Sequence, residues 1–122
     1  MKALIAYVLL SIGSALAACQ PAIVADRSEL ISEGEAIYTT SCARCHHGDG
    51  SGYRNLFPPL AGNPLVTLHD PVPIIRVVQD GRGSMPPFRG VLSSEEIAAV
   101  LTYIRNSWGN EAAPIPPRQV RD

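Results

Sequence analysis

Cys42-Ala43-Arg44-Cys45-His46 restricts what this chain can fold around more than any other stretch. On a helical turn Cys42 and Cys45 lie three residues apart and share a face, and His46, four beyond Cys42, joins them there. Two thiols and an imidazole so placed suit covalent attachment of a c-type haem. Each thiol can add to a vinyl group and leave a thioether, and the adjacent histidine can ligate the iron. The same residue types fit three other chemistries. A thioredoxin-like dithiol calls for a βαβ context, and no strand pattern is legible here. A zinc site could draw on Cys42, Cys45, His46 or His47, and His69. A disulfide between Cys42 and Cys45 would close a tiny, strained loop.

Composition favours the haem. Eleven prolines and ten glycines in 122 residues imply long irregular stretches. A small loop-rich domain buries too little apolar area to be stable alone, and a large apolar disc would supply the missing core.

The first residues have the form of a secretory leader, 1–18. Met1-Lys2 is followed by an apolar run, Ala3 to Leu10, and then by small residues. The run is too short for a membrane span. Leu16-Ala17-Ala18-Cys19 has the form of a bacterial lipobox, which would leave Cys19 as a lipid-modified N-terminus. Of the three cysteines, two belong to the haem motif. An odd cysteine in an exported protein needs a role, and lipidation of Cys19 provides one; a stray thiol past ordinary cleavage is the alternative. Export with a lipid places the protein in the periplasm or on the extracytoplasmic membrane face.

About 100 residues follow the leader, enough for one domain. Lys2 is the only lysine, so the mature chain carries nine arginines against eleven acids, a formal charge of −2. No basic stripe alternates with aromatics, which argues against nucleic acid as a partner. Any electrostatic steering must use arginines or acids.

Residues 19–31 read as a tether. Ser32 with Glu35 forms a capping-box pattern, predicting a helix over about 33–41 that runs into the haem motif. Residues 47–64 are loop-like, a short turn follows near 65–68, and a second short helix spans about 74–79. Ser93 with Glu96 repeats the capping box. Ile97, Val100, Leu101, Ile104 and Trp108 then make one apolar stripe, with Gly109 closing the helix. Residues 111–122, with Pro114, Pro116 and Pro117, read as an extended, poorly ordered tail. The domain is 32–110 and the fold class is all-α.

The mature chain has one methionine, Met85, in a Gly-Ser-Met-Pro loop. It is the candidate second axial ligand, and a sulfur there raises the reduction potential relative to a second histidine. The alternatives are His47, His69, or a gap-filling methionine.

These residues together resemble class I c-type cytochromes over Gly34 to Trp108. The matching features are Gly34 and Tyr38, the Cys42–His46 run, Pro58-Pro59-Leu60, Gly83-Ser84-Met85-Pro86, and a last helix carrying Tyr103. The resemblance implies three to four short helices and long loops wrapped around one covalent haem c. It implies that the first and last helices cross, with Gly34 letting Tyr38 and Tyr103 approach. It also implies that the Pro58 carbonyl accepts from His46 and that Leu60 lines the pocket. Arg76 is a candidate propionate partner; the alternative is a solvated arginine on a helix face. Phe57 to Pro64 and Ser107 to Asn110 are similar, more narrowly, to haem domains in cytochrome subunits of bacterial quinoprotein alcohol dehydrogenases. Those subunits usually carry several haem domains, and this chain has one motif.

The expectation is an electron-transfer protein, not an enzyme. It would carry electrons from a dehydrogenase or respiratory donor to a downstream oxidase or cytochrome. The alternatives are a haem subunit permanently bound in such a complex, or an open-site gas- or peroxide-binding haem protein.

Overall fold

Residues Pro21 to Ser41 contain one glycine and no internal proline, and they form a single long helix, α1 (Pro21–Ser41), in the computed structural model. The structure describes the backbone of residues 21–121 and side chains from Arg27 onward. The leader and Cys19 lie outside the described residues. Much of the expected tether is therefore helix. A capping box marks a helix start only where the chain arrives non-helical, and at Ser32 it is already wound. Nothing between Pro21 and Ile31 breaks a helix, and Pro21 sits at the first position, where its missing N–H is harmless. The added turns are tied down by Arg27, whose Nη2 donates to Asn106 Oδ1 at 2.6 Å.

Four further α-helices follow: α2 (Ala43–His46), α3 (Pro64–Thr67), α4 (Val72–Asp80) and α5 (Ser94–Ile104). Pro117–Gln119 adds one 3-10 turn. Side chains start the later helices. Asn63 accepts from the Leu65 N–H of α3 at 3.0 Å, and Asp70 accepts from the Val72 N–H of α4 at 3.0 Å. Ser93 and Glu96 form a reciprocal capping box on α5, at 3.1 and 2.8 Å. Pairing between extended segments is limited to isolated bridges among the described residues. No helix among them is long and apolar enough to cross a membrane.

Helix α5 stops at Ile104, short of the end that the apolar stripe suggests. The side chains of Asn106 and Ser107 turn back onto the carbonyls of Thr102 and Tyr103, at 2.9 and 2.7 Å. With those acceptors satisfied the helix can end, and Trp108 takes a left-handed backbone (φ 53°) beyond it.

Helices α1 and α5 cross at Gly34. A Cβ there would collide with the Ala99 carbonyl oxygen and would lie 2.7 Å from Tyr103 Cβ. The close approach stacks Tyr38 on Tyr103 (centroids 5.4 Å apart) and on Trp108 (5.0 Å). Tyr38 is fully buried, and its hydroxyl donates to the His47 carbonyl at 2.6 Å. Trp108 Nε1 donates to the Gly48 carbonyl at 3.1 Å. The helix crossing thus clamps the backbone just past the Cys-x-x-Cys-His turn.

The C-terminal segment is extended, but it belongs to the packed domain. Ile115 and Val120 are fully buried. The Ile115 N–H donates to Thr102 Oγ1 at 3.0 Å, and Gln79 Nε2 donates to the Val120 carbonyl at 2.6 Å. Prolines remove helical periodicity, yet two apolar anchors and buried side-chain bonds hold the strap without it.

Candidate functional site

The described thiols, both free, flank the single turn α2. Cys42 is its N-cap, and its carbonyl accepts from the N–H groups of Cys45 (3.1 Å) and His46 (3.0 Å). That turn presents Cys42, Cys45 and His46 to one cavity of about 700 Å³. Met85 lines the same cavity. Leu60, Val66, Val78, Phe88, Val100 and Leu101 contribute to a mainly apolar lining that contains no Asp or Glu among the described residues. The volume falls in the range of small-molecule and cofactor sites.

His46 is buried, and its Nδ1 lies 3.0 Å from the Pro58 carbonyl oxygen. That contact leaves Nε2 as the ring nitrogen available for a metal and fixes the ring plane. Gly52 makes the contact possible. A Cβ there would collide with the Phe57 carbonyl oxygen and lie 2.8 Å from that of Pro58, and the backbone is left-handed (φ 67°). Only glycine meets both conditions without strain. The Gly50 carbonyl then accepts from Leu60 and Ala61 (2.8 and 3.1 Å), and buried Asn110 donates to the Leu60 carbonyl at 3.0 Å.

Met85 is held differently. Arg82 and Met85 exchange backbone hydrogen bonds, 3.1 Å from the Arg82 N–H and 2.9 Å from the Met85 N–H, around a turn in which Gly83 is left-handed. The Phe88 and Arg89 N–H groups dock the loop on the Val78 and Gln79 carbonyls of α4, at 3.0 and 3.1 Å. Met85 is half-buried at the end of this turn.

The competing chemistries fare poorly. Burial, reinforced by neighbouring Cys45, pushes the Cys42 thiol up to about 11, opposite to the depressed thiols of dithiol oxidoreductases. No three His, Cys, Asp or Glu side chains among the described residues converge as a metal site, which removes support for zinc. His47 is exposed and His69 lines a separate cleft; neither lines the cavity. Arg76 stands exposed on α4 and does not line the cavity, where the arginines are Arg44 and Arg82. On α4 the cavity takes Ile74, Val77 and Val78, so the intervening Arg76 is turned to solvent.

Residues 29–104 match the family model described as "Cytochrome C oxidase, cbb3-type, subunit III". The chain belongs to this family of c-type cytochromes. It is 41% identical over 91 residues to an alcohol dehydrogenase (quinone) cytochrome c subunit of Gluconobacter oxydans, an alignment covering 65% of this chain and 19% of that protein. It is 39% identical over 74 residues to cytochrome c6 of Microcystis aeruginosa, covering 59% of this chain and 90% of the relative. With cytochrome c-552 of Thermus thermophilus it shares 34% over 93 residues, 65% of this chain and 70% of the relative. The chain spans about a fifth of the length of the dehydrogenase subunits it matches. As a cytochrome c it is an all-α electron-transfer protein holding haem c covalently. The apolar cavity closed at one end by two thiols and an imidazole fits that group.

Buried Asn110, Arg105 and Gln79 lie outside the cavity lining and brace the chain behind it, and no sequence pattern marks them. Their partners are backbone carbonyls distant in the chain, such as Leu60, Val66 and Val120, and spacing carries no signal for these.

Proposed function

We propose that the chain is a single-haem electron carrier of the periplasm or extracytoplasmic membrane face. In this reading Cys42 and Cys45 would carry the thioethers, while His46 and Met85 would ligate the iron. One observation supports the ligand pair above others: His46 and Met85 line the same cavity, and no other described histidine or methionine does. When bound, the haem supplies a one-electron Fe(III)/Fe(II) couple. The protein's part is to set its surroundings. Pro58 orients His46, the Arg82–Met85 turn presents a thioether sulfur that favours the ferrous state, and the apolar wall excludes water.

The leader and the lipobox ending at Cys19 support export and anchoring by lipid. Redox proteins are the expected partners. Relatives named as cytochrome subunits of quinone-type alcohol dehydrogenase, gluconate 2-dehydrogenase and fructose dehydrogenase support a dehydrogenase donor, with an oxidase or second cytochrome as acceptor. Relatives named cytochrome c6 and cytochrome c-552 support the carrier reading, and those named as dehydrogenase subunits support the alternative of a haem subunit fixed in a complex. Leu56, 70% exposed at the cavity rim, gives a partner an apolar contact in a small, transient interface.

The test is spectroscopic. The oxidised protein is expected to show a methionine–iron charge-transfer band toward the red, and Met85→Ala to abolish it, give a high-spin spectrum and admit CO or cyanide. An unchanged spectrum and potential in Met85→Ala would remove the ligand assignment and favour an open-site protein. Fractionation of Cys19→Ala tests the anchor: release into the soluble periplasmic fraction is the expected result.

A further inference from the structure

A second cleft, of about 310 Å³, shares no lining residue with the haem cavity. Its polar wall carries two guanidinium groups, Arg105 and Arg118, with His69 and Gln119 beside them, and no Asp or Glu among the described residues lines it. Pro71, Pro114 and Pro116 form much of the rest.

Arg105 is the unusual member. It is 1% exposed, one of the largest fully buried side chains in the molecule. Its Nε donates to the Ala113 carbonyl at 3.1 Å, and its Nη1 donates to the carbonyls of Val66 (2.7 Å) and Leu68 (3.0 Å). All three partners are neutral. The ion pair found among the described residues is Arg89–Asp80, which does not involve Arg105. No buried side-chain nitrogen or oxygen among the described residues lacks a partner, so Nη2, which takes part in none of these bonds, is the atom that meets the open cleft. Asp70 lies next to His69 in the chain, but its carboxylate already caps α4 and does not line the cleft.

Burying a guanidinium without a counter-charge is costly, and carbonyl dipoles offset only part of that cost. Burial accordingly pulls the Arg105 pKa down. An anion in the cleft would supply what the described residues do not. The rigid proline walls are already in place, so little ordering would be lost on binding. The size suits a small molecule, and two arginines with an imidazole suit more than one anionic oxygen.

We propose that this cleft binds a small multivalent oxyanion of the phosphate or di- and tricarboxylate class, with Arg105 as its buried anchor and Arg118 and His69 at the mouth. The site is independent of the haem ligand assignment. Its test uses the reduced haem-loaded protein, titrated with inorganic phosphate and separately with citrate, ionic strength being held constant with potassium chloride. The Arg105 Nε–H resonance is expected to shift saturably with at least one of the two. Arg118→Gln, a change at an exposed side chain, is expected to weaken that binding about tenfold while leaving the fold and haem spectrum intact. Shifts that fail to saturate, that chloride reproduces, or that Arg118→Gln leaves unaltered would overturn the site. So would an acidic peptide that binds the cleft when phosphate and citrate do not, since the occupant would then be a protein partner.

Discussion

The two ends of the haem cavity are built by different means. The His46 end rests on contacts between segments far apart in the chain: α1 crossing α5 at Gly34, Tyr38 and Trp108 clamping the backbone of His47 and Gly48, and Pro58 orienting the imidazole. The Met85 end rests on a four-residue turn with its own pair of backbone hydrogen bonds and a short docking onto α4. The first cannot form until the whole domain has assembled. The second is local, and its failure need not unfold the rest. The attachment end is therefore bound to global stability, while the sulfur end can open separately.

Substitutions at glycines on the two sides should separate these regimes. Gly34→Val drives a branched side chain into the Ala99 carbonyl and Tyr103. It is expected to cost about 3 kcal/mol or more by denaturant unfolding, with loss of the near-UV signal of the Tyr38–Tyr103–Trp108 cluster. A loss under about 0.5 kcal/mol would show that the crossing does not organise the attachment end.

Tyr38→Phe tests the same end more gently. It removes the hydrogen bond to the His47 carbonyl and is expected to cost about 1.5 kcal/mol at neutral pH. Burial, with Tyr103 and Asp49 adding to it, raises the Tyr38 pKa above its ordinary 10.0. A raised folded pKa means that the hydroxyl's stabilisation is complete below pH 10 and is lost as pH climbs from there toward the folded value. The gap in stability between the native protein and Tyr38→Phe should thus shrink above pH 10. A gap that widened there would reverse the assigned sign.

Gly83→Ala should have the smallest effect. A Cβ at Gly83 meets nothing, so only the left-handed backbone (φ 56°) is penalised, by about 1 kcal/mol. The loss should fall on the Met85 loop, read as a larger high-spin fraction in mild denaturant while the aromatic cluster stays intact, with Gly83→Asn recovering part of it. Coincident loss of both signals would erase the distinction between the two ends.

The Cys42–His46 run was legible because its chemistry depends on spacing within one turn, which survives any fold that keeps the turn helical. The Ser93–Glu96 capping box was legible for the same reason. The Ser32–Glu35 pattern misled, because a local signal cannot report that the chain upstream is already helical. The C-terminal strap was misread because its order comes from Ile115, Val120 and buried bonds to Thr102 and Gln79, none of which leaves a period.

By itself, then, the sequence determined the cofactor chemistry, since that depends on residue type and near-neighbour spacing. Tertiary structure decided the rest. It brought Met85 to the cavity that His46 enters, excluded His47, His69 and Arg76 from that cavity, and buried Arg105 beside a cleft of its own. Those outcomes depend on which surfaces meet when helices cross and loops close, and no local pattern encodes that.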